Sequence, residues 1–350
     1  MTARRDRLLA ALNESAEIAR RSPSAFYDTL LGAMAGDVRA GGPTWRLLDP
    51  YADEAPDQYY PLRALAGVHR EVLAGERPQL SARYPSVGGD GNAAAAWPDV
   101  REAFAERDPE ILSDLAHPLQ TNETSRCGAL IGGFCTFAAE TRMPLRVLEL
   151  GASAGLNLHF DRYRYQAGAL ACGPSDSPVR FVDYWVGGVP PLDATPDVVE
   201  RAGCDVAPID ISTASGRLEL QSYVWPDQPD RLRLLRDALD VAQHDPVSVD
   251  RESAETWIAP RLATRAPGVA TVVFHSAFWI YLTTAMRSTI RHGIVAAGEA
   301  ASASAPLAWL RYEQGADPAT VELRLTAWPG AEDRLLAVGR YHLSPVRWLA

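Results

Sequence analysis

Residues 145–158 read LRVLELGASAGLNL, and this stretch decides the fold. Its mostly apolar start predicts a buried strand, with Glu149 near the carboxyl end. Gly151 and Gly155 then frame a turn of small residues, and the apolar residues from Leu156 predict the start of a helix. A strand, a small-residue loop and a helix N-terminus form the arrangement that brings backbone N–H groups against a ligand in many α/β proteins.

The loop itself reads E-x-G-x-S-x-G. It resembles the first motif of class I S-adenosylmethionine-dependent methyltransferases, E/D-x-G-x-G-x-G, with a serine in place of the middle glycine. The resemblance implies that the loop approaches the methionine and ribose parts of the cofactor S-adenosylmethionine. It places in that pocket Glu149, Gly151, Ser153, Gly155 and Asn157. A tight turn without a ligand is the alternative reading, because many α/β folds contain such a turn.

Composition narrows the class of protein. The chain has 350 residues, of which 47% are hydrophobic, so it can form a large core in one or two domains. Its net charge of −10 and the lack of a basic cluster argue against a nucleic-acid partner. Its apolar runs are too short to cross a bilayer, and its N-terminal residues carry no signal pattern. We therefore expect a cytoplasmic protein that does not enter the membrane.

Two residue types exclude further chemistry. All 34 Lys-or-Arg residues are arginine. Without lysine the chain has no Schiff base, no attachment point for pyridoxal phosphate and no P-loop lysine. The cysteines match no zinc module, so no metal site is predicted and buried free thiols are expected. These cysteines are Cys127, Cys135, Cys172 and Cys204.

The chain divides into two predicted regions. Residues 1–140 read as a helical N-terminal cap or substrate domain. Residues 141–350 alternate between strands and helices, with an irregular insertion near 166–200 that is rich in glycine and proline. Residues 217–225 are expected to form one of the strands. The last two strands are joined through Trp328-Pro329-Gly330 without room for a helix, so an antiparallel hairpin is expected to close the sheet.

These features together predict an α/β protein with a Rossmann-like class I methyltransferase fold. We expect a seven-stranded, mostly parallel sheet that closes with the antiparallel hairpin, together with the N-terminal helical cap. A nicotinamide-binding Rossmann domain would instead continue with further βαβ units.

Two more candidate residues lie at predicted strand ends. Asp205 follows Gly203 and Cys204 and resembles the acidic residue of methyltransferases that holds the ribose hydroxyls; an exposed turn aspartate is an equal alternative. His275 follows an apolar strand at the end where α/β sheets place chemistry. It could accept a proton from a substrate near neutral pH. The alternative is a core histidine bonded to the backbone.

Glu123 and Arg126 lie one helical turn apart and could both face the cleft, where an arginine fork would suit a carboxylate. The alternative is a capped helix with an ordinary surface pair. We predict these two residues and His275 as catalytic. Residues 151–155 also match G-x-S-x-G, so a hydrolase is a further alternative, with His342 as the late histidine that it would need.

Several longer stretches support a family resemblance. LELGASAGLNLHFDRYRY, VWPDQ at 224–228, VVFHSAFWIYL, and PLAWLRYE followed by ELRLTAWPG resemble a large, mostly actinobacterial family defined only as a domain of unknown function. The resemblance covers about residues 122–349 and implies a methyltransferase fold with a helical cap. Some relatives in natural-product pathways of the azinomycin type are associated with aziridine formation, in which an amine displaces a neighbouring leaving group.

Three functions follow as hypotheses. The first is methyl transfer from S-adenosylmethionine to a small molecule in bacterial secondary metabolism. The second keeps the fold without the cofactor and closes a ring on an amino-acid-derived substrate, free or bound to a carrier protein. Here the helix N-terminus at 153–157 would hold an anionic group. The third is a non-catalytic subunit that binds a protein partner.

Overall fold

The chain forms two compact units. The computed structural model describes residues 2–54, 59–117, 119–317, 320–342 and 345–350. One unit contains residues 1–121 and 212–233, and the other contains residues 122–211 and 234–350. This division differs from the predicted boundary at residue 140, because helix α8 (Cys127–Thr141) belongs to the second unit and residues 212–233 belong to the first.

The described part of the first unit is helical, in agreement with the sequence pattern. Its helices are α1 (Thr2–Arg21), α2 (Ala25–Arg39), α3 (Pro43–Leu48), α4 (Tyr60–Ala74), α5 (Pro78–Ser81), α6 (Ala93–Glu106), α7 (Pro109–Ala116) and α9 (Ala214–Ser222). Helix α10 (Pro229–His244) contains the boundary at residue 233. The apolar faces of α1, α2, α4 and α6 share one core, which also includes Trp225.

Helix α9 corrects the strand predicted over 217–225. Leu218 and Leu220 alternate with polar residues, which favours a strand. The segment nevertheless forms a helix, capped by the Thr213 hydroxyl, which accepts the Gly216 N–H at 3.0 Å. Leu220 is buried in it. Packing against α4 has therefore overridden the local pattern.

The second unit is built on a large mixed sheet and a small one. Its strands are β1 (Leu145–Leu150), β2 (Arg164–Ala167), β3 (Leu170–Cys172), β4 (Arg180–Val182), β5 (Trp185–Val186), β6 (Val198–Asp205), β7 (Val249–Arg251), β8 (Ala270–Ser276), β9 (Leu307–Gln314), β10 (Val321–Trp328), β11 (Glu332–Gly339) and β12 (Val346–Trp348). Strands β2, β3 and β4 form the small sheet inside the predicted insertion. The other helices of this unit are α11 (Ala254–Ala263) and α12 (Thr284–Glu299).

The large sheet confirms the α/β class but not the predicted count of seven strands. It has nine described strands in the order β5-β12-β11-β10-β9-β8-β1-β6-β7. The additional strands are β12, which pairs antiparallel with β11, and β5, which comes from the insertion and pairs with β12. The predicted closing hairpin is present as the antiparallel pair of β10 and β11.

Five of these strands are parallel neighbours, in the order β7-β6-β1-β8-β9. Numbered along the chain, this is the order 3-2-1-4-5 of doubly wound sheets. The direction of winding changes between β1 and β8. In open α/β sheets the crevice outside the strand ends at this point is where ligands bind.

The two faces of the large sheet are covered by different helices. On one face Phe134 of α8 packs edge-on against Phe274 of β8, with ring centroids 5.2 Å apart. On the other face Ile290 of α12 shares a core with Val273 and Trp309. Because successive strand residues point to opposite faces, these contacts fix which candidate side chains can meet.

Within the described ranges, none of the helices is both long enough and apolar enough to cross a membrane. The four cysteines are buried free thiols, as predicted.

Candidate functional site

The loop after β1 has an alternating left-handed backbone. The φ angles are +69° at Gly151, +53° at Ser153 and +76° at Gly155. Glycine adopts this region freely, whereas an L-residue there costs roughly 1–2 kcal/mol. Ser153 therefore keeps the backbone conformation that favours glycine at the middle position. At Gly155 an added Cβ would lie 3.1 Å from the Val249 side chain, so this position also allows close packing against β7.

The backbone N–H groups of this loop bond within the protein. Ser153 N–H donates to Asp205 Oδ2 at 2.9 Å, and Leu156 N–H donates to Asn122 Oδ1 at 2.9 Å. The helix expected from Leu156 is present, as a 3-10 helix over Leu156–Arg162. These two N–H groups are thus committed to side chains, and we do not retain the predicted anion site at 153–157.

Asp205 fastens the loop to the end of β6. Its Oδ1 accepts the Ala207 N–H at 2.9 Å while its Oδ2 holds Ser153. Gly203 permits this approach, because a Cβ there would lie 2.7 Å from the side chain of Ala152. The structure therefore brings together the loop and the acidic strand end. Each carboxylate oxygen can accept more than one hydrogen bond, so this contact is compatible with a further donor.

Glu149 is a buried acid directly beneath the loop. It is 2% exposed, and its Oε2 has no hydrogen-bond partner. Burial raises the pKa of Glu149 well above its ordinary value, and the nearby Asp205 adds to this; a hydrogen bond with Asn157 and the charge of Arg126 act in the opposite direction. Asn157 also accepts a bond from the Cys127 thiol at 3.2 Å. The site thus contains a carboxyl group for which the neutral form is favoured.

Arg126 and Glu123 bond to different partners. The Nη1 of Arg126 donates to the Ser276 carbonyl at 3.1 Å, and its Nε donates to the Tyr341 carbonyl at 3.3 Å. Glu123 Oε2 lies 3.4 Å from His342 Nδ1. Arg126 is 8% exposed, so most of its surface is used inside the protein. These contacts indicate that Arg126 has a structural role and holds the end of β8 near the loop. They argue against the predicted role, in which its guanidinium binds a substrate carboxylate.

His275 lies on the opposite face of the sheet from Glu149. In the parallel register Glu149 is paired with Phe274, so these two side chains share the α8 face. His275, one residue further, points to the α12 face and stacks on Trp279, with ring centroids 4.5 Å apart. The predicted base and the predicted cofactor acid therefore do not meet.

Both ring nitrogens of His275 are also occupied. The Trp309 indole N–H donates to His275 Nε2 at 3.1 Å, and His275 Nδ1 lies 2.6 Å from Glu313 Oε1. An indole N–H can only donate, so Nε2 must accept and the proton is on Nδ1. The ring is fully buried. His275 is thus a buried core histidine, as in the alternative interpretation, but its partners are side chains and not the backbone. Because Nε2 already accepts the Trp309 N–H, the ring has no free nitrogen to take a proton from a substrate.

The structure adds two residues that were not predicted as site residues. Glu313 Oε1 accepts the backbone N–H groups of Phe278 at 2.9 Å and Trp279 at 3.3 Å, so it holds the loop that follows β8. The ring of Phe278 lies over Gly151, where an added Cβ would overlap it. From the sequence, Glu313 could be singled out only by its position near the end of a predicted strand. No chemical motif in the sequence points to Phe278.

Fold and site together define an α/β protein with a small-residue loop at the switch point of a doubly wound sheet. The chain belongs to the family described as "Uncharacterized protein conserved in bacteria (DUF2332)", which matches residues 10–348. The match begins well before residue 122, so the family includes the helical N-terminal region. No curated protein and no solved structure shows significant similarity to the chain.

Proposed function

We propose that this protein is a methyltransferase-like enzyme that binds S-adenosylmethionine and acts on a small molecule. The observation that carries the proposal is the alternating left-handed loop after β1, the central strand of a doubly wound sheet. Asp205, at the end of the neighbouring strand, lies beside this loop. The same relationship is implied by the resemblance to methyltransferase motifs.

The residues present are compatible with the cofactor. Asp205 would hold the ribose hydroxyls, since a carboxylate can accept from two hydroxyls at once. Glu149 has a buried oxygen without a partner, and a neutral acid can both donate and accept, which suits the amino-acid end of the cofactor. When bound, S-adenosylmethionine supplies a methyl group on a positively charged sulfur. The protein would contribute the fixed loop and the buried Glu149 to orient it.

Phe278 must move for a ligand to lie over Gly151, because its ring fills that space. Glu313 holds the backbone of Phe278 and Trp279, and His275 bonds to the same carboxylate oxygen. We therefore assign to His275 and Glu313 a positioning role for the loop after β8. In this role His275 acts through Glu313 and does not touch the reacting atoms.

The same contact supports a second candidate function. The Phe278 ring occupies the position over Gly151 where the cofactor would have to lie. The fold could then serve an intramolecular displacement, in which a substrate amine replaces a neighbouring leaving group with no methyl transfer. This candidate no longer relies on an anion held at 153–157, because Ser153 and Leu156 N–H groups bond to side chains.

Binding of S-adenosylmethionine, measured by isothermal titration calorimetry, tests the proposal. We expect micromolar affinity for the wild type and loss of binding in Asp205→Ala. The matched control is Glu200→Ala, which removes the same charge from an exposed position on the same strand. Circular dichroism checks folding, and Asp205→Asn provides a milder variant. Absence of binding by the folded wild type overturns methyl transfer and leaves the displacement reaction.

A further inference from the structure

A pocket of about 160 Å³ lies at the ends of β8 and β9 on the α12 face of the sheet. Because His275 and Trp309 line it, it lies on the opposite face from Glu149. A water molecule occupies about 30 Å³ in the liquid, so the volume suits about five waters or one small metabolite. Its charged lining residues are Arg291, Arg311, Glu313, Glu322 and Arg324.

Two of the three arginines in the pocket are already neutralised. Arg311 donates to Thr326 Oγ1 at 2.8 Å and is paired with Asp333. Arg324 bonds to Glu322 at 2.7 Å and to Asp333 at 2.8 Å. These charges hold β9, β10 and β11 together on this face. Because Arg311 and Arg324 are paired in this way, they would attract a further anion only weakly.

Arg291 of α12 is different. It is exposed and, in the described part of the chain, forms no ion pair. Its guanidinium lies 5.8 Å from the centroid of the Trp309 ring, whose neighbourhood also contains Arg311 at 4.4 Å. Contact with an aromatic ring restricts a guanidinium and leaves its N–H groups available for a planar anion such as a carboxylate.

Glu313 provides a negatively charged group in the same pocket as the positively charged Arg291. Its Oε1 accepts from the loop after β8, whereas its Oε2 is buried and has no hydrogen-bond partner. A buried carboxylate oxygen without a donor is costly, so a ligand N–H or ammonium would relieve it. Trp279 and Trp309 form an apolar wall beside these two groups, with ring centroids 5.8 Å apart.

We propose that this pocket binds a small zwitterion, an α-amino acid or a close derivative, with its carboxylate on Arg291 and its ammonium group toward Glu313. The ligand's short apolar part lies against Trp279 and Trp309. The site does not involve Glu149 or Asp205, so it stands whether or not S-adenosylmethionine binds.

Ligand-observed NMR with a mixture of the twenty protein amino acids, without S-adenosylmethionine, tests the proposal. We expect at least one amino acid to bind saturably, and its deaminated acid and its amide to bind at least tenfold more weakly. Arg291→Gln should weaken binding at least tenfold. Arg347→Gln, which removes one exposed positive charge from β12, should leave it unchanged.

Failure of all twenty amino acids to bind overturns the proposal, as does unchanged binding in Arg291→Gln. Equal binding of the amino acid and its deaminated acid also overturns it, because Glu313 would then play no part. Arg291 is exposed, so its variant is expected to fold, and circular dichroism verifies this. Titration of S-adenosylmethionine against the same samples separates this result from the proposed function.

Discussion

The carboxylate of Asp205 accepts the backbone N–H of Ser153 at 2.9 Å, which joins the end of β6 to the loop after β1. The two residues are far apart in sequence and come from neighbouring parallel strands. A single side chain thus holds the left-handed turn on which the proposed ligand site depends. The stability of the loop should accordingly respond to this one contact.

Replacement of Asp205 by alanine should lower the free energy of unfolding by about 2 kcal/mol, because hydrogen bonds to charged groups contribute roughly 1.5–3 kcal/mol. Urea unfolding measures the change. Glu200→Ala, which removes an exposed ion pair on the same strand, should cost less than about 1 kcal/mol. Equal losses in the two variants would show that Asp205 does not hold the loop.

Ser153 should tolerate glycine and reject valine. Ser153→Gly removes the left-handed backbone strain of the folded state, which is roughly 1–2 kcal/mol. Glycine also has more conformational entropy in the unfolded chain, which destabilises the variant by about 0.5–1 kcal/mol. We therefore expect Ser153→Gly to lie within about 1 kcal/mol of the wild type. Ser153→Val, with a branched Cβ at a φ of +53°, should lose more than about 2 kcal/mol. Thermal unfolding of Ser153→Gly and Ser153→Val measures this difference. Equal stabilities of the two variants would contradict a left-handed backbone at Ser153.

Gly151 and Phe278 should be energetically coupled. Gly151→Ala introduces a methyl group into the Phe278 ring and places an L-residue at a φ of +69°, so it should cost about 2–5 kcal/mol. In Phe278→Ala the same methyl group meets open space. The double variant should therefore be more stable than the sum of the single losses by about 1 kcal/mol. If the stability losses of the two single variants simply add in the double variant, the Phe278 ring does not contact Gly151.

Glu149 should make stability depend on pH with a defined sign. Its pKa is raised by burial, so its favourable contribution is complete below the pKa of an unfolded glutamate and is lost as pH rises through the folded value. Glutamine at this position stays neutral at every pH. The free energy of unfolding of Glu149→Gln should therefore rise relative to that of the wild type as pH increases from about 4.5 upward. Urea unfolding across this range measures the difference. A pH-independent difference would contradict a neutral Glu149, and Glu200→Gln is the exposed control.

His275→Ala should act mainly on stability. It removes a fully buried ring that bonds to Trp309 and Glu313, so we expect a loss of about 3 kcal/mol from the cavity and the unpaired groups. Chemical denaturation measures it. Wild-type stability of this variant would contradict the packed core role of His275.

Local sequence patterns were sufficient for several elements. The buried strand expected at the start of 145–158 is present as Leu145–Leu150, because it is mostly apolar and is followed at once by the small-residue turn at Gly151. The helix α9 was mistaken for a strand, since Leu218 and Leu220 alternate and only the contact with α4 favours the helix. Two strands at the edge of the large sheet were also missed, being only two and three residues long.

By itself the sequence determined the α/β class and the loop at 151–155, because strand periodicity and the steric freedom of glycine are local properties. Tertiary structure alone decided that Glu149 and His275 face opposite sides of the sheet, and that Phe278 covers Gly151. Those relationships follow from strand register and strand order. Both are set by how distant segments pack, and a shift of one residue would exchange the two faces.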